Sequence, residues 1–305
     1  MSKDAPRNLA HSVHQRLLNR VQQDRRPFNE LLQYYAMERF LYRLSRSAYA
    51  GKFLLKGALL FTAWRAPMYR PTRDIDLLGR MSNDLDAIIT AFKDVCRQEV
   101  EPDGLLFDEG QVTAEQITEN TDYQGVRVMI RGNLGNARVD LHVDIGFSDI
   151  VVPGPVELDY PVILDMPAPH LRGYSRESMV AEKFEAMVKL GELNSRMKDF
   201  HDIWYLARNF DFDGAVLAQA IAATFSRRST ALQAVPLALT ADFSQRQDRE
   251  MQWAAFLRRG RPVGMPDDFG KVVSEIAGFL LPVSQAVATG HPFLGKWAAR
   301  GPWQT

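Results

Sequence analysis

A proline-rich stretch divides the chain into two halves with different hydrophobic patterns. Residues 153–170 hold five of the 16 prolines. Proline has no N–H and disfavours a helical residue before it, so this stretch is predicted to be extended. We place a domain boundary within it, giving domains 1–165 and 166–305. A chain of 305 residues is long enough for one large domain or two ordinary ones.

Before this stretch, helical and strand patterns alternate. Apolar spacing predicts helices over 8–23, 29–48 and 83–100, and a short helix from Leu59 that Pro67 stops. Strand patterns occur at 53–55, 74–78, 125–131 and 138–147. The last two strands are predicted to form a hairpin around a turn at 132–136.

Beyond the stretch the pattern is almost all helical. The predicted helices cover 175–191, 199–209, 213–226, 247–259 and 267–281. The predicted fold class is therefore α/β (α+β), a mixed sheet with flanking helices followed by a C-terminal helical domain.

Composition narrows the class of protein. Hydrophobic residues make up 46% and charged residues 24%, which is typical of a soluble globular chain. Lys plus Arg equals Asp plus Glu, at 37 each, which argues against coating nucleic acid through bulk charge but leaves room for a local basic patch. The single cysteine, Cys96, fits a reducing compartment. No secretory signal and no stretch of about 18 apolar residues is visible, so a cytoplasmic location is predicted.

Two carboxylates at the start of a strand are the first candidate site. Asp74 and Asp76 are two residues apart, so their side chains lie on one face of the predicted strand. Paired carboxylates can share Mg²⁺ in phosphoryl transfer. Just upstream, Gly57 follows a strand and opens a helix, where free N–H groups can bind phosphate.

The Asp-x-Asp pattern alone is weak. It occurs three times, and the pairs at 84/86 and 211/213 are typical of helix caps or solvated turns. The first pair differs because its strand continues into the apolar residues Leu77 and Leu78.

A third carboxylate is expected from a neighbouring strand. Residues 138–145 alternate strictly, which puts Asp140, His142 and Asp144 on one face. Asp is depleted in strands, so two on one face suggest a function. Asp144 is the favoured metal ligand and Asp140 its rival, whereas His142 is either a ligand or a filler of the polar face.

The helical half carries a second cluster. Lys183 borders the apolar stripe of its helix, and Asp199 and Asp202 are three residues apart on one helical face. Such charges are also typical of a solvated helix surface, so this pattern leaves both interpretations open. Arg227-Arg228 and Arg258-Arg259-Arg261 are candidate RNA contacts or ordinary solvated faces.

Four ordered motifs resemble one family, the AbiEii/AbiGii abortive-infection toxins, which are nucleotidyltransferases of the DNA polymerase β-like superfamily. The motifs are Lys56-Gly57-Ala58, Thr72-Arg73-Asp74-Ile75-Asp76, Ala181–Ala186 and Arg196–Asp202. The resemblance implies the polymerase β-like fold for the mixed-sheet half.

The resemblance also implies residue roles. Asp74 and Asp76 would bind Mg²⁺, two ions being expected, and Lys183 would contact phosphate. Asp199, with Asp202, would lie near the attacking hydroxyl. The implied nucleotide-binding residues are Lys56, Gly57, Ala58, Arg73, Arg196, Lys198 and Asp202. We expect the site to draw on both halves of the chain.

Three positions depart from the family pattern. Ala58 replaces a residue that is often Gly or Ser, and Arg73 stands where Ser is frequent. Leu190 replaces a frequent Arg, which bears on nucleotide preference.

The implied activity is transfer of an NMP from an NTP to an acceptor hydroxyl, with an RNA or tRNA 3′ end as the acceptor. Family members are toxins paired with a separate antitoxin protein. The alternatives are transfer to a protein or small molecule, and a non-catalytic nucleotide-binding protein.

Overall fold

A computed structural model describes residues 5–65, 72–119, 123–260 and 264–304. Pro67 and Arg261, both used in the predictions above, lie outside these residues. The described chain forms two compact units. Unit 1 contains the described residues up to Ser148 together with 156–173, and unit 2 contains 149–155 and the described residues from Tyr174 onwards. The last change of unit thus follows Gly173, whereas the predicted domains divide after residue 165.

Unit 1 is built on a seven-stranded mixed sheet with the order β3-β4-β5-β2-β1-β7-β6. Its strands are β1 (Phe53–Lys56), β2 (Asp74–Gly79), β3 (Leu105–Glu119), β4 (Tyr123–Leu134), β5 (Ala137–Gly146), β6 (Val156–Asp159) and β7 (His170–Gly173). Its helices are α1 (Ala5–Asp24), α2 (Phe28–Arg46), α3 (Leu59–Ala63) and α4 (Leu85–Arg97). These elements confirm the predicted mixed sheet with flanking helices.

The hairpin is tighter than predicted. β4 and β5 run up to a two-residue turn at Gly135-Asn136, where Gly135 has φ +59°, so the predicted five-residue turn is wrong. The positive φ matches the glycine preference of two-residue hairpins.

Helix α2 holds the ends of the central strands in place. Gln33 Nε2 donates to the carbonyls of Arg73 (3.2 Å) and Asp140 (3.1 Å), and the Thr72 N–H donates to Tyr34 Oη. Arg73 and Asp140 flank the predicted carboxylate site, so α2 fixes the backbone on which that site is built.

Unit 2 is helical, as predicted. It contains α5 (Arg176–Leu190), α6 (Met197–Asn209), α7 (Gly214–Arg227), α8 (Ala241–Ser244), α9 (Gln247–Gly260) and α10 (Phe269–Thr289). A small sheet of β8 (Phe212–Asp213), β9 (Lys296–Trp297) and β10 (Trp303–Gln304) was not predicted. Two-residue strands have too little sequence for a period-2 pattern to show.

Helix α10 differs from its prediction in two ways. It continues to Thr289 with Pro282 inside, although the prediction ended it before that proline. It is also long and apolar enough to cross a membrane, judged by length and composition, so the expectation of no such stretch does not hold. The buried side chains of Phe269, Ile276 and Phe279 belong to the core of unit 2, and a core helix meets the same criteria.

Candidate functional site

The candidate carboxylates of unit 1 lie on two neighbouring strands, β2 and β5, and β1 adds a lysine beside them. β2 pairs with β5 in parallel, placing Asp74 opposite His142 and Asp76 opposite Asp144. On the other side β1 runs antiparallel and places Lys56 opposite Asp76. The structure therefore places the predicted site residues Lys56, Asp74, Asp76 and Asp144 on one sheet.

Asp74 and Asp76 sit at the polar edge of a buried strand. Ile75, Leu77 and Leu78 are almost completely buried, whereas the Asp74 side chain is 44% exposed. His142 Nδ1 lies 3.6 Å from Asp74 Oδ1. The strand is thus fixed by its apolar residues while its acidic face stays accessible.

Gly57 makes room for the Asp76 carboxylate. It has φ +69°, and a Cβ built on it would lie 2.0 Å from Asp76 Oδ2. Both the left-handed backbone and the close approach require glycine. Ala58 is buried, and the helix that follows has only five residues, so its dipole is short.

Lys56 adds a positive charge next to Gly57. It is the last residue of β1 and is only 6% exposed. Arg73 has an exposed side chain, and its backbone carbonyl accepts a hydrogen bond from Gln33.

Asp144 is held by an arginine that the sequence reasoning missed. Arg127 on β4 donates to both carboxylate oxygens, with Nε–Oδ1 and Nη2–Oδ2 distances of 2.7 Å. This hydrogen-bonded pairing raises the pKa of Arg127 above its ordinary value. Arg131 Nε donates to one oxygen of the rival, Asp140, at 2.9 Å. Among the described residues, no three His, Cys, Asp or Glu side chains are grouped to hold a metal ion. The role of Asp144 as a ligand stays a prediction.

The other two Asp-x-Asp pairs are helix caps, as predicted. Asp84 accepts from the Ala87 N–H at the start of α4, and Asp213 accepts from the N–H groups of Ala215 and Val216 at the start of α7.

In unit 2, Lys183 joins two fully buried carboxylates. Its Nζ lies 2.9 Å from Asp199 Oδ1 and 2.7 Å from Asp202 Oδ2, and both aspartates are 0% exposed. Arg196 Nε lies 2.7 Å from Asp199 Oδ2, and His201 Nδ1 lies 2.9 Å from Asp202 Oδ1. The pattern is thus a buried cluster and not a solvated helix surface. The predicted roles of its members towards phosphate and the acceptor stay predictions.

The outer residues of this cluster are more accessible. The Arg196 side chain is 35% exposed, and Lys198 is exposed on the first turn of α6. Leu190 is the last residue of α5.

Arg228, a candidate RNA contact, is buried among carboxylates. Its guanidinium lies 2.7 Å from Asp149, 2.8 Å from Glu185 and 3.4 Å from Glu182, and only 10% of the side chain is exposed. Burial lowers the pKa of Arg228, but the carboxylates outweigh it and raise that pKa overall. A contact of Arg228 with RNA is therefore the wrong interpretation, because its charge is already balanced inside the unit.

Comparisons with known proteins identify the family of the chain. The model of the family described as "Nucleotidyl transferase AbiEii toxin, Type IV TA system" matches residues 39–275. No curated protein shows a significant sequence match.

Solved structures of two bacterial proteins are among those similar to the chain. One is MenT4, a nucleotidyltransferase toxin from Mycobacterium tuberculosis H37Rv, with 14% identity and a TM-score of 0.52 over 92% of this chain and 98% of that one. The other is JHP933 from Helicobacter pylori, with 15% identity and a TM-score of 0.47 over 86% of this chain and 92% of that one. The first shares the fold, and the second is too distant to carry an argument.

The family match spans all four motifs and both carboxylate clusters, and it implies an NTP substrate and a cognate antitoxin. The chain belongs to the AbiEii nucleotidyltransferase toxin family, whose members are the toxins of type IV toxin–antitoxin systems.

Proposed function

We propose that this toxin transfers an NMP from an NTP to the 3′ end of an RNA, with tRNA as the acceptor, and that the transfer depends on Mg²⁺. The observation that carries the proposal is the close approach of Gly57 to Asp76, with 2.0 Å between Asp76 Oδ2 and the position of an absent Cβ. A glycine at positive φ beside the Asp76 carboxylate fits a backbone that approaches a triphosphate.

The residues fit Mg²⁺ by their chemistry. Asp74 and Asp76 offer carboxylate oxygens from one strand face, which are ligands that Mg²⁺ prefers. Asp144, opposite Asp76, is the proposed third ligand, with Asp140 as its rival. When bound, the ions would neutralise charge on the phosphates during transfer.

The neighbouring cations have complementary roles. We assign Lys56 and the N–H groups of Gly57 and Ala58 to the triphosphate. Arg127 is 36% exposed and holds both oxygens of Asp144. A phosphate is an alternative bidentate partner for a guanidinium, so binding of the NTP to Arg127 would release Asp144.

In unit 2 we assign positioning to the buried residues and contact to the exposed ones. Asp199 and Asp202 are enclosed with Lys183, so they fix the start of α6. Arg196 and Lys198 extend from this start towards solvent and are the proposed contacts to phosphate groups of the nucleotide or RNA.

The decisive experiment incubates the purified protein with each of the four labelled NTPs, total tRNA and Mg²⁺. We expect label on tRNA, and loss of that label when EDTA replaces Mg²⁺, with recovery on adding Mg²⁺ in excess. Label on a protein or small molecule would identify a different acceptor. Absence of label from every acceptor, with the protein folded, would identify a non-catalytic nucleotide-binding protein. We further propose that the reaction takes place in the cytoplasm, where tRNA and NTPs are present.

A further inference from the structure

Unit 2 contains a cavity of about 410 Å³ that no motif described above uses. Its walls include Trp204, Arg208, Glu275, Gly278, Trp297 and Arg300. The family match ends at residue 275, so the last three of these lie beyond it. A cavity of this size with an apolar wall and a few converging polar groups is typical of a small-molecule site.

One wall is a fixed pair of an arginine and an indole. Glu275 Oε2 accepts from Trp204 Nε1 at 2.7 Å and from Arg208 Nη1 at 2.8 Å. The Arg208 guanidinium carbon lies 4.9 Å from the centroid of the Trp204 ring. One carboxylate therefore orients both groups and balances the charge of Arg208. A flat guanidinium held in this way can stack on a planar ligand.

Arg300 supplies a second positive charge to the lining of the cavity. Arg300 has φ +79°, a conformation uncommon outside glycine, and its N–H donates to the Ala207 carbonyl at 3.0 Å. The same carbonyl accepts from Trp297 Nε1 at 2.7 Å. Within residues 5–65, 72–119, 123–260 and 264–304, Arg300 forms no ion pair. The cavity thus carries two arginines and one carboxylate, which favours an anionic ligand.

Helix α10 lines the cavity with Gly278, which leaves open space there. Gly278 is inside the helix, where glycine is less stable than alanine, yet a Cβ there would meet no atom within 4 Å. Pro282, four residues later, has no N–H, so the Gly278 carbonyl lacks its usual helical donor. The wall therefore offers both space and an acceptor for a ligand N–H.

We infer that this cavity binds a nucleotide, either as a free mononucleotide or as the terminal unit of an RNA strand. The phosphate would pair with Arg300, and the base would stack on Arg208 and present N–H groups to the Gly278 carbonyl. The choice of a nucleotide among planar anions rests on the proposed function. The cavity and its charge do not depend on it.

Calorimetric titration with each of the four nucleoside monophosphates, and with a short single-stranded RNA, tests this inference. We expect binding to the wild type, at least tenfold weaker binding to Gly278→Leu, which adds a branched side chain to the cavity lining, and about tenfold weaker binding to Arg300→Gln. Gly278→Ala is the matched control and should bind within a few-fold of wild type. Melting curves of all variants verify folding.

The two ligand sources give different patterns. Binding of mononucleotides alone indicates a free nucleotide, whereas RNA binding that Gly278→Leu weakens indicates an RNA end. Absence of binding to the wild type, or equal binding by Gly278→Leu, would overturn the inference. Asp76→Asn separates it from the proposed function, because that variant should lose nucleotidyl transfer and keep cavity binding. Loss of all binding in Asp76→Asn would instead assign the nucleotide to the carboxylate face.

Discussion

Asp74 in unit 1 differs from Asp199 and Asp202 in unit 2 in the exposure of its carboxylate. Asp74 is 44% exposed, whereas both carboxylates of the unit 2 pair are 0% exposed and contact the Lys183 ammonium. The first pair stands on a strand whose apolar neighbours fix its position, and the Asp74 carboxylate stays accessible to ligands. The second pair is enclosed with its counter-charge, so its main effect is on folding. We therefore expect the acidic pair of unit 1 to affect the reaction rate and the acidic pair of unit 2 to affect stability.

The largest expected effect is on activity at Asp74 and Asp76. Asp76→Asn should lower nucleotidyl transfer by about 10³-fold, because losing several kcal/mol of metal-linked stabilisation costs a factor of ten per 1.36 kcal/mol. The unfolding free energy should change by less than about 0.5 kcal/mol. Asp86→Asn, in an exposed Asp-x-Asp of α4, is the control and should keep full activity. Equal activity of both variants would show that Asp76 does not take part in the reaction.

At the buried pair the main effect should be on stability. Lys183→Met leaves two enclosed carboxylates without their shared cation and should cost about 3–5 kcal/mol in denaturant unfolding. Lys271→Met, at an exposed position on α10, should change stability by less than about 0.5 kcal/mol. A loss of activity in Lys183→Met with unchanged stability would reverse the comparison and make Lys183 a substrate contact.

A buried carboxylate in unit 1, that of Glu38, should make the stability of the protein depend on pH. Glu38 on α2 is 1% exposed, accepts from the Ile163 N–H at 2.7 Å and lies 2.8 Å from Arg39 Nη2. Burial raises the pKa of Glu38 from 4.5 to about 7, despite the lowering effect of Arg39. The folded state therefore binds more protons than the unfolded state between pH 4.5 and pH 7, and stability falls as pH rises through that range.

The expected loss is about 3 kcal/mol between those pH values, at 1.36 kcal/mol per pKa unit. Glu38→Gln keeps a hydrogen-bond acceptor for Ile163 and should remove most of this slope. Urea unfolding at a series of pH values measures it. An unchanged slope in Glu38→Gln would assign the pH dependence to other groups.

The smallest expected effect is that of a substitution at Gly57, which tests how Asp76 is positioned. Gly57→Ala forces a Cβ onto a residue with φ +69° and should cost about 1–2 kcal/mol, together with partial loss of activity as Asp76 is displaced. Gly51→Ala meets no atom within 4 Å and should be close to neutral in both respects. Wild-type activity in Gly57→Ala would show that the position of Asp76 tolerates the added carbon.

Much of unit 1 follows from local patterns, because its helices and strands have regular apolar spacing. The Arg127–Asp144 pairing was missed although the hairpin contains the signal. Once Gly135-Asn136 is the turn, Leu134 faces Ala137, and equal steps along both strands bring Arg127 opposite Asp144. The predicted turn at 132–136 was too long, so it did not give the register that pairs Arg127 with Asp144.

Other features have no local signal. The small sheet of unit 2 joins residues far apart in sequence, such as Phe212 and Trp297. The burial of Lys183, Asp199 and Asp202 depends on how α5 packs against α6, which helical periodicity does not specify. The left-handed Arg300 is set by contacts with Ala207 and not by its own residue type.

The pairing of β8 with β9 has a consequence for synthesis on the ribosome. Strand β8 precedes α7, but its partner is made only after α10. A nascent chain that ends near residue 290 has α6, α7 and α10 but lacks Trp297 and Trp303, whose indoles donate to the carbonyls of Ala207 and Phe279. In a chain released at that point the aromatic surface around Phe279 has no cover, so this chain is prone to aggregation and lacks the cavity. The cavity in unit 2 thus forms only after Trp297 and Arg300 have been made.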